Sequence, residues 1–262
     1  MTSIHPTALV DPGARLDTGV AIGPYAIVED GAVIGARSDV RARAVVKRYT
    51  TLGADNHVHE AAVLGGEPQD VSFKGGASAL LIGDRNRIRE GVTIHRASAG
   101  GETRIGSDCF LMAYAHVAHD DRLGDGVVLA NNVALAGHVH VGDRAFLSGG
   151  VVVHQFCRVG RLAMVGGNSK IVQDCLPFVI TDGVPGRARG LNVVGLRRAG
   201  FTAAQLRALK HAYRILLRSA LPLDIALTTL DALGDPLADE LAAFVRASKR
   251  GFHRAGRASG EE

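Results

Sequence analysis

The sequence predicts an all-β solenoid, a parallel β-helix of hexapeptide repeats, followed by a small C-terminal α-helical domain. Three observations carry this reading. An aliphatic residue recurs at every sixth position over most of the stretch up to Ile171. Two polar, Gly-rich segments interrupt the series without ending it. Beyond about residue 190 the period changes to that of amphipathic helices. The domains expected are therefore a coil over 1–190 and a helical part over 191–262.

The series opens with Ile4, Val10, Leu16, Ile22, Val28, Ile34, Val40, Val46, Leu52, Val58 and Leu64, often with Gly next, as in Ile22-Gly23 and Leu52-Gly53. It breaks from roughly Gly65 to Ala79, a stretch holding Pro68, Gln69 and Asp70, and resumes at Ile82, Ile88 and Ile94. A shorter insertion covers Ala97 to Thr103. From Ile105 the period runs unbroken through Leu111, Val117, Leu123, Leu129, Leu135, Val141, Leu147, Val153, Val159 and Val165 to Ile171. A period of six fits no α-helix, whose apolar stripe repeats at 3.6. It fits short strands joined by tight corners, three hexads to a triangular coil. Residues 18 apart then stack about one strand spacing apart, ~4.8 Å, and backbone hydrogen bonds run from coil to coil.

The repeat fades through Pro177, Pro185 and Gly190. Thr202-Ala203-Ala204-Gln205 then reads as a capping box, with Phe201 and Leu206 as a hydrophobic staple. Leu206, Leu209, Tyr213, Leu216 and Leu217 form the apolar face of the helix that follows. A second helix is expected after Pro222, ending at Gly234, and a third from Pro236 to about Lys249. The tail from Gly251 is expected to fray.

Composition narrows the function classes. With 47% hydrophobic and 21% charged residues, the 262-residue chain has ample material for a packed core. No apolar run approaches the ~18 residues of a membrane span. The N-terminus has no basic segment followed by an apolar one, so a cytoplasmic location is expected. Cys109, Cys157 and Cys175 are odd in number and lack metal-type spacing, which reads as reduced thiols. The net charge of +4 is modest, and many arginines lie beyond Arg187. That suits an acidic protein partner better than nucleic acid, and the absence of Trp argues against base-stacking platforms.

The chemistry-bearing stretch is Leu111-Met112-Ala113-Tyr114-Ala115-His116-Val117-Ala118-His119-Asp120. A histidine that exchanges protons near neutral pH stands beside a carboxylate in a segment of small apolar residues. Stacking by 18 sets Gly137 and then Gln155 over His119, and His138 over Asp120, with His154 adjoining Gln155. The glycine leaves a notch in which a ligand can reach a backbone N–H. Two blander readings stay open here. One is a ladder of exposed polar residues on one ridge. The other is a metal site drawing three ligands from His116, His119, His138, His140 and His154.

Several motifs in order add a resemblance. They are Ile88-Arg89-Glu90-Gly91-Val92-Thr93-Ile94-His95-Arg96, Ala115-His116-Val117-Ala118-His119-Asp120, Leu129-Ala130-Asn131-Asn132, Ala136-Gly137-His138, His154-Gln155-Phe156 and Val165-Gly166-Gly167. From about Ile4 to about Phe201 the chain resembles the acyl-carrier-protein:UDP-N-acetylglucosamine O-acyltransferases, which open lipid A synthesis. The resemblance implies a left-handed coil, against the usual right-handed rule for parallel crossovers. It implies a homotrimer with sites between subunits, an acyl carrier protein as co-substrate, and no metal or other cofactor. Carried over by position, His119 matches the general base, Asp120 the acid orienting it, and Gly137 the N–H that stabilises the oxyanion. Asp70, His116, His138 and Gln155 match residues lining the sugar and acyl pockets, with Gln69 and His154 beside them. Gly167 matches the position limiting acyl-chain length. Asn192 and Arg198 match part of a nucleotide-recognition stretch.

The chain departs from the family's pattern at three positions. Ser72 stands where relatives commonly have Lys, and Val194 and Ala199 stand where they have Glu and Arg. These positions bear on nucleotide and phosphate recognition, so the acceptor is less closely specified than the chemistry. The reading favoured is transfer of a 3-hydroxyacyl group to UDP-N-acetylglucosamine. The alternatives are a hexapeptide acyltransferase acting on another nucleotide sugar, at oxygen or nitrogen, and a non-catalytic β-helix scaffold.

Overall fold

A computed structural model describes residues 1–255. The hexads form a left-handed parallel β-helix whose three faces are sheets of 11, 9 and 8 strands. Most strands are only two residues long, such as Ala21–Ile22, His116–Val117 and Arg122–Leu123. Each is too short to persist alone, and pairing with the coils above and below supplies its hydrogen bonds. The second residue of each pair points inward. Ile34, Val46, Leu64, Ile94, Leu111, Leu135 and Leu147 are all fully buried in one apolar cluster. At the open N-terminal end no coil covers the column, and Ile4 remains 49% exposed.

The register is the decisive number. Strand partners differ by 18, as in Ser3 with Ala21 and Val117 with Leu135. Across the first interruption the difference is 30, as in His57 with Arg87, so 12 residues are inserted. Across the second it is 23, as in Thr93 with His116, so five are inserted. Both insertions leave from the 9-stranded face and return on the 8-stranded face. They bulge from the same corner of the prism, one coil above the other.

Corners turn on residues in the left-handed region. Asp120, His138 and Phe156, with φ of +61°, +62° and +64°, form one such column on that same corner. The three cysteines are free and buried inside the coil. Burial pushes the Cys109 and Cys157 thiols up to about 11 and Cys175 up to about 12.

After Ile171 the coil closes with an antiparallel hairpin, Val179–Asp182 with Arg187–Leu191, which the sequence does not reveal. Four helices follow: α1 Val193–Arg198, α2 Ala203–Leu217, α3 Leu223–Asp231 and α4 Pro236–Arg246. The Thr202–Gln205 capping box is present. Helix α1 was not expected, and α3 and α4 stop three residues short of the expected ends. In α3 the chain turns off at Ala232, and Gly234 follows the helix at φ +58°. The helices share an apolar cluster with Leu162, Leu176 and Phe178 of the last coils.

The expected fraying at Gly251 is corrected for the residues described. Phe252 and Ala255 bridge to Asp174 and Ala188, and the His253 N–H donates to the Asp174 carbonyl at 2.9 Å. The seam is held because Asp174, 1% exposed, also takes Arg158 and the Ser248 hydroxyl. The remainder of that tail lies outside the described residues.

His95, at the end of strand Thr93–His95, is 7% exposed and packs under Gly66, where an added Cβ would fall 3.0 Å from its ring. Its Nδ1 has no hydrogen-bond partner among the described residues. Burial, and then the charges of His116 and His119, hold its imidazole down to about 4. Between the ordinary value of 6.5 and about 4 the unfolded chain therefore binds a proton that the fold excludes. Stability should be flat above that window and fall on acidification through it, by roughly 3 kcal/mol across the whole window from this residue. Denaturant melts at about pH 7.5 and about pH 5 should reveal the loss, and His95→Phe should shrink it. An unchanged pH difference in that variant would assign the slope to His116, whose burial lowers it in the same direction.

Candidate active site

The corner between strands His116–Val117 and Arg122–Leu123 carries the polar cluster. Asp121, fully buried, pins it from inside by accepting the Ala118 N–H at 3.0 Å and the Val139 N–H at 2.7 Å. Desolvation raises the Asp121 carboxyl well above the usual range, as befits a structural acid. The Asp120 N–H donates to Thr103 Oγ1 at 2.8 Å. Between these anchors His119 and Asp120 project from the ridge.

His119 Nδ1 lies 2.8 Å from Asp120 Oδ2. The same oxygen accepts the Ser98 hydroxyl at 2.6 Å and the Ser98 N–H at 3.1 Å. Burial pushes the Asp120 carboxyl up, but the bonds from Ser98 and His119 outweigh it and the net shift is downward. An ionised Asp120 can only accept, so Nδ1 carries the imidazole proton and Nε2 presents a lone pair. That is the tautomer a general base requires. His119 itself is 5% exposed.

Gly137 sits on that ring. A Cβ there would fall 2.5 Å from His119 Cε1 and 2.7 Å from Nε2. Among the described residues the Gly137 N–H donates to no protein acceptor. The stack expected from the 18-residue spacing is thus present as geometry, and His138 N–H donates to the His119 carbonyl at 3.1 Å. The His138 ring stands edge-on to His119, centroids 5.4 Å apart. Its other side is stacked on Phe156 at 4.6 Å and 9°. His116 Nδ1 is 2.7 Å from Thr93 Oγ1, and its ring meets His95 edge-on at 4.9 Å.

The first insertion brings Gln69, exposed, and Asp70. Ser72 donates to Asp70 Oδ1 from both N and Oγ at 2.8 Å. These two bonds lower the Asp70 carboxyl first, and the charges of His119 and His138 add to them. Ser72, one of the departures, therefore braces Asp70. His154 and Gln155 are exposed one coil further on, the His154 ring reaching the Gln155 carbonyl at 3.1 Å.

Three expected residues do not join this cluster within one chain. Gly167 lies on another corner, exposed, nearest the Gly149 carbonyl. Asn192 and Arg198 line a groove of about 580 Å³ against Val128, Phe146, Met164 and Ile180. Those strands belong to the 11-stranded face, opposite the histidine corner. Asn192 is moreover engaged as the cap of α1, accepting from Gly195 N and donating to the Leu162 carbonyl at 3.0 Å. Val194, 59% exposed, is in the same groove, whereas Ala199 packs toward the helical core.

Of the histidines weighed as metal ligands, only His119 and His138 converge, with Asp120, their donor atoms within 4.8 Å. Asp120 Oδ2 already accepts three hydrogen bonds, and His119 Nδ1 makes one of them. His140 lies on the 8-stranded face between Arg122 and Arg158. The donor set fits proton handling better than an ion.

Ser98 was missed because it lies in the off-period insertion, where the 18-residue map gives no neighbour, and Thr103, in the strand Glu102–Ile105 that follows, meets the Asp120 N–H one residue off that map. Phe156 could have been read from its spacing of 18 after His138.

Residues 174–253 match a family model described as Udp N-acetylglucosamine O-acyltransferase, Domain 2. Over 97% of its length the chain is 48% identical to the acyl-[acyl-carrier-protein]–UDP-N-acetylglucosamine O-acyltransferase of Burkholderia orbicola, covering all of that protein. It is 45% identical, with the same coverage, to the protein of that name from a Janthinobacterium. The solved UDP-N-acetylglucosamine O-acyltransferase of Moraxella catarrhalis superposes with a TM-score of 0.93 at 42% identity, over 96% of this chain and 99% of that one. The acyltransferase of Francisella novicida superposes at 0.94 and 33% identity, over 98% and 95%. Likeness of this depth runs over nearly the whole chain, and the chain belongs to the acyl-[acyl-carrier-protein]–UDP-N-acetylglucosamine O-acyltransferase family.

Proposed function

We propose that the protein transfers a 3-hydroxyacyl group from acyl carrier protein to the 3-hydroxyl of UDP-N-acetylglucosamine, the first step of lipid A synthesis. The observation that carries this is the His119–Asp120 pair under Gly137, an imidazole with a free Nε2 beside an open backbone N–H. Nε2 of His119 takes the proton of the sugar hydroxyl as that oxygen attacks the thioester carbonyl. Asp120 holds the ring and offsets the charge it gains. The Gly137 N–H donates to the oxyanion of the tetrahedral intermediate. The attack forms the ester C–O bond, and collapse of the intermediate restores the carbonyl and breaks the C–S bond. The departing thiolate takes the proton from His119, so the ring returns to its starting state. Metal and cofactor have no part in this sequence.

His116, His138, Gln155 and His154 border the corner as sugar and acyl contacts, with Gln69 and Asp70 closing it from the first insertion. Gly167 leaves the end of the acyl groove open. The coil over 1–190 carries the chemistry, and the basic helical part over 191–262 receives the acidic carrier. No helix among the described residues is long and apolar enough to cross a membrane, and a cytoplasmic enzyme is proposed.

The working unit proposed is a homotrimer. Asn192 and Arg198 lie on the face opposite the histidine corner, so one chain cannot bring both to one substrate. A neighbouring copy can. Exposed Phe146 and Val152, 37% and 47%, give the coil apolar surface for that contact. Light scattering at working concentration should return three chains; a monomer retaining full activity would remove the shared site.

Mass spectrometry of products from acyl-loaded carrier and a panel of UDP-sugars tests the activity. UDP-N-acetylglucosamine should gain an alkali-labile ester, and an amide on an amino-sugar analogue would instead favour the N-acylating alternative. His119→Ala should lower turnover by about 10²–10⁴ with the fold intact. Gly137→Ala should be comparably inactive, since its methyl meets the His119 ring. Retention of more than about a tenth of wild-type turnover by His119→Ala would move the proton transfer to another group.

A further inference from the structure

The insertion over 67–78, which carries Gln69 and Asp70, has no strand or helix of its own. Gly75 and Gly76 in it stand at φ of +86° and +116° with open space around them. Its internal bonds amount to one turn at Asp70, closed by Ser72 and by the Phe73 N–H to the Asp70 carbonyl at 3.0 Å. A segment with so few bonds of its own is held from outside or moves.

Arg96 holds it. The residue follows His95 and is 4% exposed. One guanidinium nitrogen donates to the Gly76 carbonyl at 2.6 Å and to Ser78 Oγ at 2.9 Å. The other lies 3.4 Å from Glu67 Oε1. The guanidinium carbon sits over the rings of Phe73, at 5.1 Å, and Tyr49, at 5.4 Å. Its backbone N–H donates to the Gly66 carbonyl at 3.0 Å. One side chain thus touches the start, middle and end of the insertion, and Asp70 lies between its contacts.

A buried cation is costly without a buried counter-charge. The only carboxylate near Arg96 among its contacts is Glu67, which is 73% exposed and so a weak partner. An aliphatic side chain would fill the same space at lower cost. The guanidinium makes sense as the piece that fixes the loop. We infer that Arg96 is a positioning residue for the acceptor sugar, seating the 67–78 insertion so that Asp70 faces the His119–His138 corner. What Asp70 holds rests on the acyl-transfer reading; the latch itself does not.

Two variants test the latch from opposite sides. Arg96→Lys keeps the charge but loses the fork and the ring stacking, and Phe73→Ala removes the ring from the loop. Each should raise KM for UDP-N-acetylglucosamine about tenfold while kcat changes less than about threefold. Amide exchange should quicken in 67–78 and stay slow in the strands around Leu129. In an Asp70→Asn background Arg96→Lys should add little to KM, because both act through one group. KM at the wild-type value in both variants, or full additivity with Asp70→Asn, overturns the inference. A lowered Tm with unchanged loop exchange also overturns it, leaving Arg96 a core residue. Exchange is read on substrate-free protein. Should the wild type fail to acylate any UDP-sugar, the proposed activity falls while the exchange result still judges the latch.

Discussion

Everything in this molecule depends on the coil-to-coil register of 18. Each two-residue strand has its N–H and C=O groups satisfied only by the coils above and below, and each inward aliphatic packs on its counterpart one turn away. A chain bound in this way cannot lose or gain one residue inside a hexad without turning the aliphatic column outward. Variation is therefore confined to the corners. There the column of Asp120, His138 and Phe156 adopts left-handed φ, a conformation costing a non-glycine residue roughly 1–2 kcal/mol. Coil stacking supplies the energy that holds those corners.

The functional cluster is a product of this constraint. One corner of one coil delivers His119 and Asp120, but not the donors that hold that carboxylate ionised. The two insertions add what the repeat cannot, and both emerge at the histidine corner. The longer brings Asp70, and the shorter brings Ser98 to the Asp120 carboxylate. Ser98 matters electrostatically. Burial alone would push Asp120 toward its protonated form, and a neutral acid could not dictate the tautomer of His119. The neighbouring Asp121 lacks donors of that kind beyond two backbone amides, and it is driven the other way. Two adjacent carboxyls of one corner are thus separated into a structural acid and an orienting base.

The three-fold shape of the prism sets a limit of its own. A corner and the face opposite it are separated by the whole apolar interior, so no side chain can span them. Within one chain the groove beside α1 and the histidine corner are consequently separate surfaces, and apolar side chains such as Phe146 and Val152 stay exposed on the coil. In the homotrimer proposed, assembly and substrate recognition would be one problem, since the two surfaces can meet only between copies.

The sequence by itself determined the solenoid, its 18-residue register and the column of His119, Gly137 and Gln155, because periodicity is a local property repeated until it becomes unambiguous. It also determined the Thr202 cap, whose signal is contained within four residues. The tertiary structure alone decided that Ser98 and Thr103 bind the Asp120 unit and that Arg96 grips the first insertion. Ser98 lies inside an insertion, where the 18-residue map has no neighbour to offer, and the contacts of Thr103 and Arg96 depend on where the insertions return. Short helix α1 and the hairpin Val179–Asp182 with Arg187–Leu191 were equally hidden, since six residues around Gly195 carry little helical preference and the closing strands follow no hexad. Docking of residues 251–255 depended on a buried acid 77 positions away from Gly251, Asp174, whose carbonyl and carboxylate catch the returning chain. Contacts of that range leave no periodic trace, and only the folded chain brings their two halves together.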